Sequence, residues 1–178
     1  SARNTAVGQG ALAFLGNNEN DETALGYQSS YSETTGGGGQ NTAIGSMALH
    51  GNTVSGSNVA VGYQAAYGLD STGGNTAVGY QALFSQGAPG SPNSAFGHYA
   101  GYFINTGGNN TAIGNQAMQG ITGAKLTGSY NTGVGDSALL LAQGAAQKNT
   151  ALGYNSGVAV TTGTDNTLLG YTAGNVVT

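Results

Sequence analysis

The chain has 178 residues, of which only 6% are charged; its formal net charge is −4, and it contains 34 glycines and no cysteine. Roughly 25% charge would be ordinary, and a disordered chain needs high net charge and few apolar groups, so neither description fits. Three basic residues, Arg3, Lys125 and Lys148, cannot form a phosphate-binding stripe, so nucleic acid is not an expected partner, and no apolar run approaches the roughly 20 residues of a membrane span.

Read in chain order, the sequence repeats one short phrase. It begins as "NTAVGQGAL" at Asn4, returns as "NTAIGSMAL" at Asn41, "NTAVGYQAL" at Asn75, "NTAIGNQAM" at Asn110 and "NTALGYNSG" at Asn149, with looser copies between. Aligned on its glycine, the phrase occurs at Gly8, Gly26, Gly45, Gly62, Gly79, Gly97, Gly114, Gly135, Gly153 and Gly170, with spacings of 18, 19, 17, 17, 18, 17, 21, 18 and 17. Ten units of 17–21 residues fill the chain, and none is long enough to fold alone. This is the signature of a solenoid.

Each position of the unit has its own chemistry. Four residues before the glycine stands Asn in every unit except the second, which has Glu22; then come Thr or Ser (Val59 excepted), Ala (replaced by Gly133 and Leu168), and always an apolar residue. A β-branched triplet closed by glycine predicts a three-residue strand in every unit. Asn and Gly tolerate left-handed backbone, so Asn4, Gly8, Asn41, Gly45, Asn75, Gly79, Asn110, Gly114, Asn149 and Gly153 are expected to be structural corner residues, with the asparagines stacked as amide ladders. The fold class is therefore all-β: a β-solenoid or β-roll of about ten coils over residues 1–178, stacked about 4.8 Å apart into a rod roughly 48 Å long.

Because strand side chains alternate, Thr and Val share one face and Ala points to the other. With the bulkier Val column placed inside, the apolar Ala face needs a cover, and identical chains around an axis supply it. A parallel homotrimeric fibre is the expectation, with no cofactor and no metal. The chain begins without Met and almost inside a unit, so a piece of a longer protein is expected.

The units resemble the Asn-Thr-Ala-x-Gly-Tyr-x-Ala repeats of phage tail-fibre-like proteins and, more loosely, the β-roll head repeats of trimeric autotransporter adhesins. The resemblance covers all ten units. It implies an extracellular, cell-surface or virion fibre that forms or projects a receptor-binding part, with a cell-surface glycan or other surface receptor as partner. The 21-residue spacing before Gly135 and Glu22 in the Asn column depart from the pattern.

Candidate chemistry is sparse. His50 and His98 lie far apart in sequence, and His98 takes a column otherwise held by Tyr27, Tyr63, Tyr80, Tyr154 and Tyr171. Catalysis needs convergent titratable groups, so no enzyme is expected. Glu19, Asp21 and Glu22 are the densest charge, read as a solvated loop ahead of a calcium site. The tyrosine column, with Tyr99, Tyr102 and Phe103 nearby and amides beside it, suits carbohydrate stacking. Lys125 and Tyr130 join the candidate binding residues because they lie in the longest variable loop, Gln119 to Asn131. The rival function is an ice-binding solenoid using Thr5, Thr23, Thr42, Thr76, Thr111, Thr132, Thr150 and Thr167, an array that placing the Thr column inside would hide.

Overall fold

A computed structural model of the chain describes residues 3–14, 20–32, 39–69, 73–84 and 92–175. Ten three-residue strands form one parallel sheet in sequence order: β1 Thr5–Val7, β2 Thr23–Leu25, β3 Thr42–Ile44, β4 Val59–Val61, β5 Thr76–Val78, β6 Ser94–Phe96, β7 Thr111–Ile113, β8 Thr132–Val134, β9 Thr150–Leu152 and β10 Thr167–Leu169. Every strand pairs with the next in unshifted register, so Thr stacks on Thr and Ala on Ala, as in Thr5↔Thr23 and Ala6↔Ala24. The hydrogen bonds run both ways along the rod. Thr76 N donates to Asn93 O in the following coil at 3.0 Å, and Gly79 N donates to Val61 O in the preceding coil at 2.8 Å.

The strand ends at the column glycine, whose φ lies between 120° and 140° in every coil. A side chain is strained at such a φ, and here there is also no room for one. A Cβ on Gly79 would collide with the carbonyl of Gly97, and the same holds for each column glycine up to Gly153; above Gly170 nothing lies within 4 Å. After the glycine the chain turns through alternating handedness. Residues two and four places on, such as Gln64 (φ 51°) and Ala66 (φ 51°), are left-handed although neither is glycine. Such residues cost on the order of 1 kcal/mol each. The alternation is useful because it aims successive amides at opposite neighbours: Gln64 N donates to Ser46 O in the coil before, Ala66 N to Ala82 O in the coil after.

The inside of the coil reverses the sequence expectation for the strand faces. The Ala column is buried within its own chain, with Ala43, Ala60, Ala77, Ala95, Ala112 and Ala151 all at 0% exposure. The Val column points out: Val7 is 56% exposed, Phe96 41% and Leu152 46%. The Ala column therefore does not meet an axis between chains. The reason is width. Behind the strand stand the residues three and four places after the glycine, including Ala48, Ala65, Leu49 and Leu83, all fully buried. Only a small side chain fits between the two walls, except in β10, where Gly157 and Gly174 leave room for Leu168.

One column escaped the sequence reading. Four residues after the glycine the chain reads Leu12, Ser30, Leu49, Ala66, Leu83, Gly101, Met118, Leu139, Gly157 and Gly174, so that large and small residues alternate over most of the rod. The alternation lets each large side chain spread over the small residue of an adjoining coil. Where the column is small, a neighbour fills the space: a Cβ on Gly101 would meet Leu83 and Ile104, and one on Gly157 would meet Leu139 and Leu168. The 21-residue spacing is absorbed outside this core. Ile121 and Ala124 bridge across a local turn, and Leu126, buried, rejoins the stack by pairing with Ile104 and Gly144. The β7–β8 register is unchanged.

The two ends of the glycine column supply a test of this packing. Gly79→Ala is expected to lower stability by about 3 kcal/mol or more, combining backbone strain with a clash against Gly97. Gly170→Ala bears the strain alone, about 1–3 kcal/mol. Thermal melts of the two variants should differ in that order.

Candidate functional site

Three longitudinal features remain once the core is assigned: a buried amide ladder, two aromatic ladders, and the outward Thr and Val columns. The asparagines four places before the glycine point inward. Asn41 Oδ1 accepts from Asn58 N (2.9 Å) and Nδ2 (3.1 Å), and Asn58 Oδ1 accepts from Asn75 N (2.9 Å) and Nδ2 (3.1 Å). The chain of amides continues through Asn93, Asn110, Asn131 and Asn149 to Asn166. Their Nδ2 groups also tie down the variable loops, as from Asn110 to Gly128 O and from Asn131 to Ala146 O. The column is thus engaged within the chain.

Glu22, the exception, occupies the same slot. It is 1% exposed, and its Oε1 accepts from Asn41 N (3.1 Å) and Nδ2 (3.3 Å) in place of an amide oxygen. Asp21 turns the other way and forms a two-pronged pair with Arg3 at 2.6 and 2.7 Å. Glu19 lies outside the described residues. The described acidic residues thus diverge, and among the described residues no three His, Cys, Asp or Glu side chains gather as metal ligands would.

The first aromatic ladder was anticipated as a tyrosine column. Tyr63, Tyr80 and His98 stack coil on coil with centroids 5.3 and 5.1 Å apart, and Tyr154 stacks on Tyr171 at 5.3 Å. Between these groups the column turns polar: Asn115 Oδ1 lies 3.2 Å from His98 Nδ1, and Asn115 Nδ2 donates to Asp136 Oδ2 at 3.0 Å. Donation from Ser137 first, then Asn115, holds the Asp136 carboxyl below its ordinary value. The second ladder was not foreseen, although its residues stand five after the glycine throughout: Tyr31, His50, Tyr67, Phe84 and Tyr102, stacked at 4.8–5.2 Å. Tyr99 joins the two ladders, 5.4 Å from Tyr80 and 5.3 Å from Tyr102. Burial first, then the neighbouring Tyr99, raises both the Tyr80 and Tyr102 hydroxyls.

The structure thus gathers three of the five predicted binding residues. Tyr99, Tyr102 and Phe103 form one edge-to-face cluster, with Tyr102 and Phe103 4.5 Å apart. Tyr130 (60% exposed) and Lys125 stand in the loop region, and among the described residues no ring contact links Tyr130 to the cluster. The ladders have a chemical consequence. Rings inside a stack spend their faces on one another, leaving edges and hydroxyls to solvent; faces without a ring partner occur at Tyr27, which stands between Gln9 and Ser46, and where a stack breaks, as at Tyr63, whose column neighbour is Ser46, and at Tyr154, whose neighbour is Asp136.

The third feature is the outward strand face. Its apolar column runs the whole sheet, with Leu25 48%, Ile44 36% and Ile113 39% exposed, and the Thr column lies beside it in register. Single exposed apolar residues are unremarkable, but a contiguous strip marks a surface that meets something. Compared with known proteins, the chain matches no family model, no curated protein and no solved structure.

The amide ladder and His50 make two measurable claims. Asn110→Ala removes the acceptor of Asn131 N and Nδ2 and the donor to Gly128 O, leaving buried polar groups that cost about 1–3 kcal/mol each. Chemical denaturation should show it less stable than the parent by about 2 kcal/mol or more, and less stable than Asn166→Ala near the end of the ladder. His50 is held below its ordinary value by burial between Tyr31 and Tyr67. A depressed histidine binds its proton more readily in the unfolded chain, so its stabilising contribution is complete above about pH 6.5 and is lost as pH falls below it. Melting temperature measured across that range should fall in the parent and fall less in His50→Phe.

Proposed function

We propose that this chain is a non-enzymatic segment of a homotrimeric, tail-fibre-like adhesive fibre, working outside the cell on a cell or virion surface. The observation that carries the reading is the uninterrupted apolar column on the outward sheet face. Three copies placed with these faces toward a common axis would bury it over the full length of the rod, and the in-register sheet keeps the column continuous along such an axis. The assembled rod would hold a receptor-binding part away from its anchor and multiply weak contacts by avidity.

A second reading has its own observation. With Thr and Val both outward, the threonine array is displayed in a regular lattice on the exposed face, as an ice-binding surface requires. Val59 and Ser94 interrupt the row, and Phe96 stands proud of it, 41% exposed. A varied Val, Leu, Ile and Phe column suits adaptable side-chain packing better than a rigid crystal plane.

Light scattering of the purified chain should give three times its 17.4 kDa mass. Ile44→Lys with Ile113→Lys adds charge at exposed positions, which the coil itself tolerates. The double variant should therefore keep the β circular-dichroism signal and fall to monomer, because each charge buried at the axis costs several kcal/mol. A parent that is monomeric and shows thermal hysteresis, lost in Thr76→Tyr with Thr111→Tyr, would replace the fibre reading with ice binding.

A further inference from the structure

Beyond the corner glycine, the next two residues of each coil form a ridge separate from the apolar strand face. Apart from Gly10 and Met47 at the second position, it presents a ring or polar group followed by an amide or hydroxyl, as in Tyr63 with Gln64, Tyr80 with Gln81, and Asn115 with Gln116. Tyr63 and Tyr80 are 43% and 41% exposed, and the amides are themselves laddered, with Gln81 Nε2 donating to Gln64 Oε1 at 2.6 Å. Three properties define what could lie on this ridge. Its groups repeat once per coil, at 5.1–5.3 Å between stacked rings. Its groups are almost all uncharged hydrogen-bonding side chains, Asp136 being the one carboxylate of the column. It is also unbroken in register, because the strand pairing never shifts from coil to coil.

We infer that this ridge binds a neutral, extended polysaccharide lying lengthwise along the rod, about one sugar to each coil. Successive sugars of an extended β-1,4-linked chain advance by nearly the same step as the coils. Alternate sugars of such a chain face opposite ways, so their equatorial hydroxyls can meet the ridge in turn from either edge, with Tyr hydroxyls and Gln amides in consecutive coils at Tyr63–Gln64 and Tyr80–Gln81. Because rings within a stack share their faces, most contacts are edge-on hydrogen bonds, and stacking of a sugar on a ring is confined to Tyr27, which has no ring neighbour in its column, and to the ends of the stacks, as at Tyr63 and Tyr154. Each contact alone is weak, so affinity comes from chain length. The inference rests on the surface-binding part of the proposed function and adds the ligand class, its orientation and its register.

The test is calorimetry of the full chain with cello-oligosaccharides of one to six sugars, with light scattering on the same sample. Glucose should not bind measurably, and affinity should rise at least about tenfold from two sugars to six. Tyr80→Ala with Gln81→Ala should lower six-sugar affinity by about tenfold while leaving mass unchanged; because it also removes the Tyr80 stacking and the Gln81–Gln64 hydrogen bond, binding is compared at a temperature where both proteins keep the β circular-dichroism signal. Equal affinity for two and six sugars overturns lengthwise binding, as does failure to bind cello-, xylo- and manno-oligosaccharides alike. A trimer that fails to bind overturns this inference and leaves the fibre reading standing. A monomer overturns the fibre reading, and the length series then still decides the ridge.

Discussion

The structure depends on one distance, the rise from coil to coil set by backbone hydrogen bonds between consecutive turns. A parallel sheet places its strands about 4.8 Å apart, and every column of this molecule is a response to that spacing. The column glycine answers it most directly, since the carbonyl of the next glycine occupies the place a Cβ would take. The asparagines answer with side chains that reach just one coil, each amide oxygen receiving the backbone N–H above it. The aromatic rings answer by stacking at 4.8–5.3 Å, near the rise itself.

The same distance constrains the core. A coil this thin encloses little volume, so its interior is lined by alanine on the strand side and closed by a column alternating leucine or methionine with small residues. Such a core contributes modest apolar burial per residue. The deficit is offset by an unusually complete set of hydrogen bonds, in which amides of the left-handed corner residues are satisfied by both neighbouring coils. Glu22 fits because the slot asks for an acceptor toward the following coil, and a carboxylate oxygen supplies one. Loop length can vary because the loops lie outside the repeat contacts, as the Ile121–Ala124 turn demonstrates.

Function follows from what the core leaves outward. Thin coils cannot hold both strand faces inside, so the bulkier apolar column is displayed, and that display carries the proposal of a protein cover. Tyr99, Tyr102 and Phe103 meet because two ladders converge at one coil, whereas Tyr130 and Lys125 share a loop and no ring contact with them. Proximity in sequence selected both groups; only the first has a scaffold that brings its side chains together.

The sequence by itself determined the period, the strand at each Thr-Ala-Val triplet, the all-β solenoid, the asparagine ladder and the corner glycine, because a repeat states its own register. The left-handed backbone expected at the column asparagines falls elsewhere, on residues such as Gln64, Ala66 and Tyr130, since a corner held by hydrogen bonds to both neighbouring coils accepts almost any side chain. The facing of the strand was decided only in the folded coil. Alternation tells that Thr and Val lie opposite Ala, but not which side is inward. That depends on the gap between the strand and the wall formed by Ala48, Leu49, Ala65 and Leu83, a distance across the coil that no local pattern encodes. The second aromatic ladder and the alternating leucine column emerged the same way, because each is a contact between residues 17 to 19 positions apart and exists only once the coils are stacked.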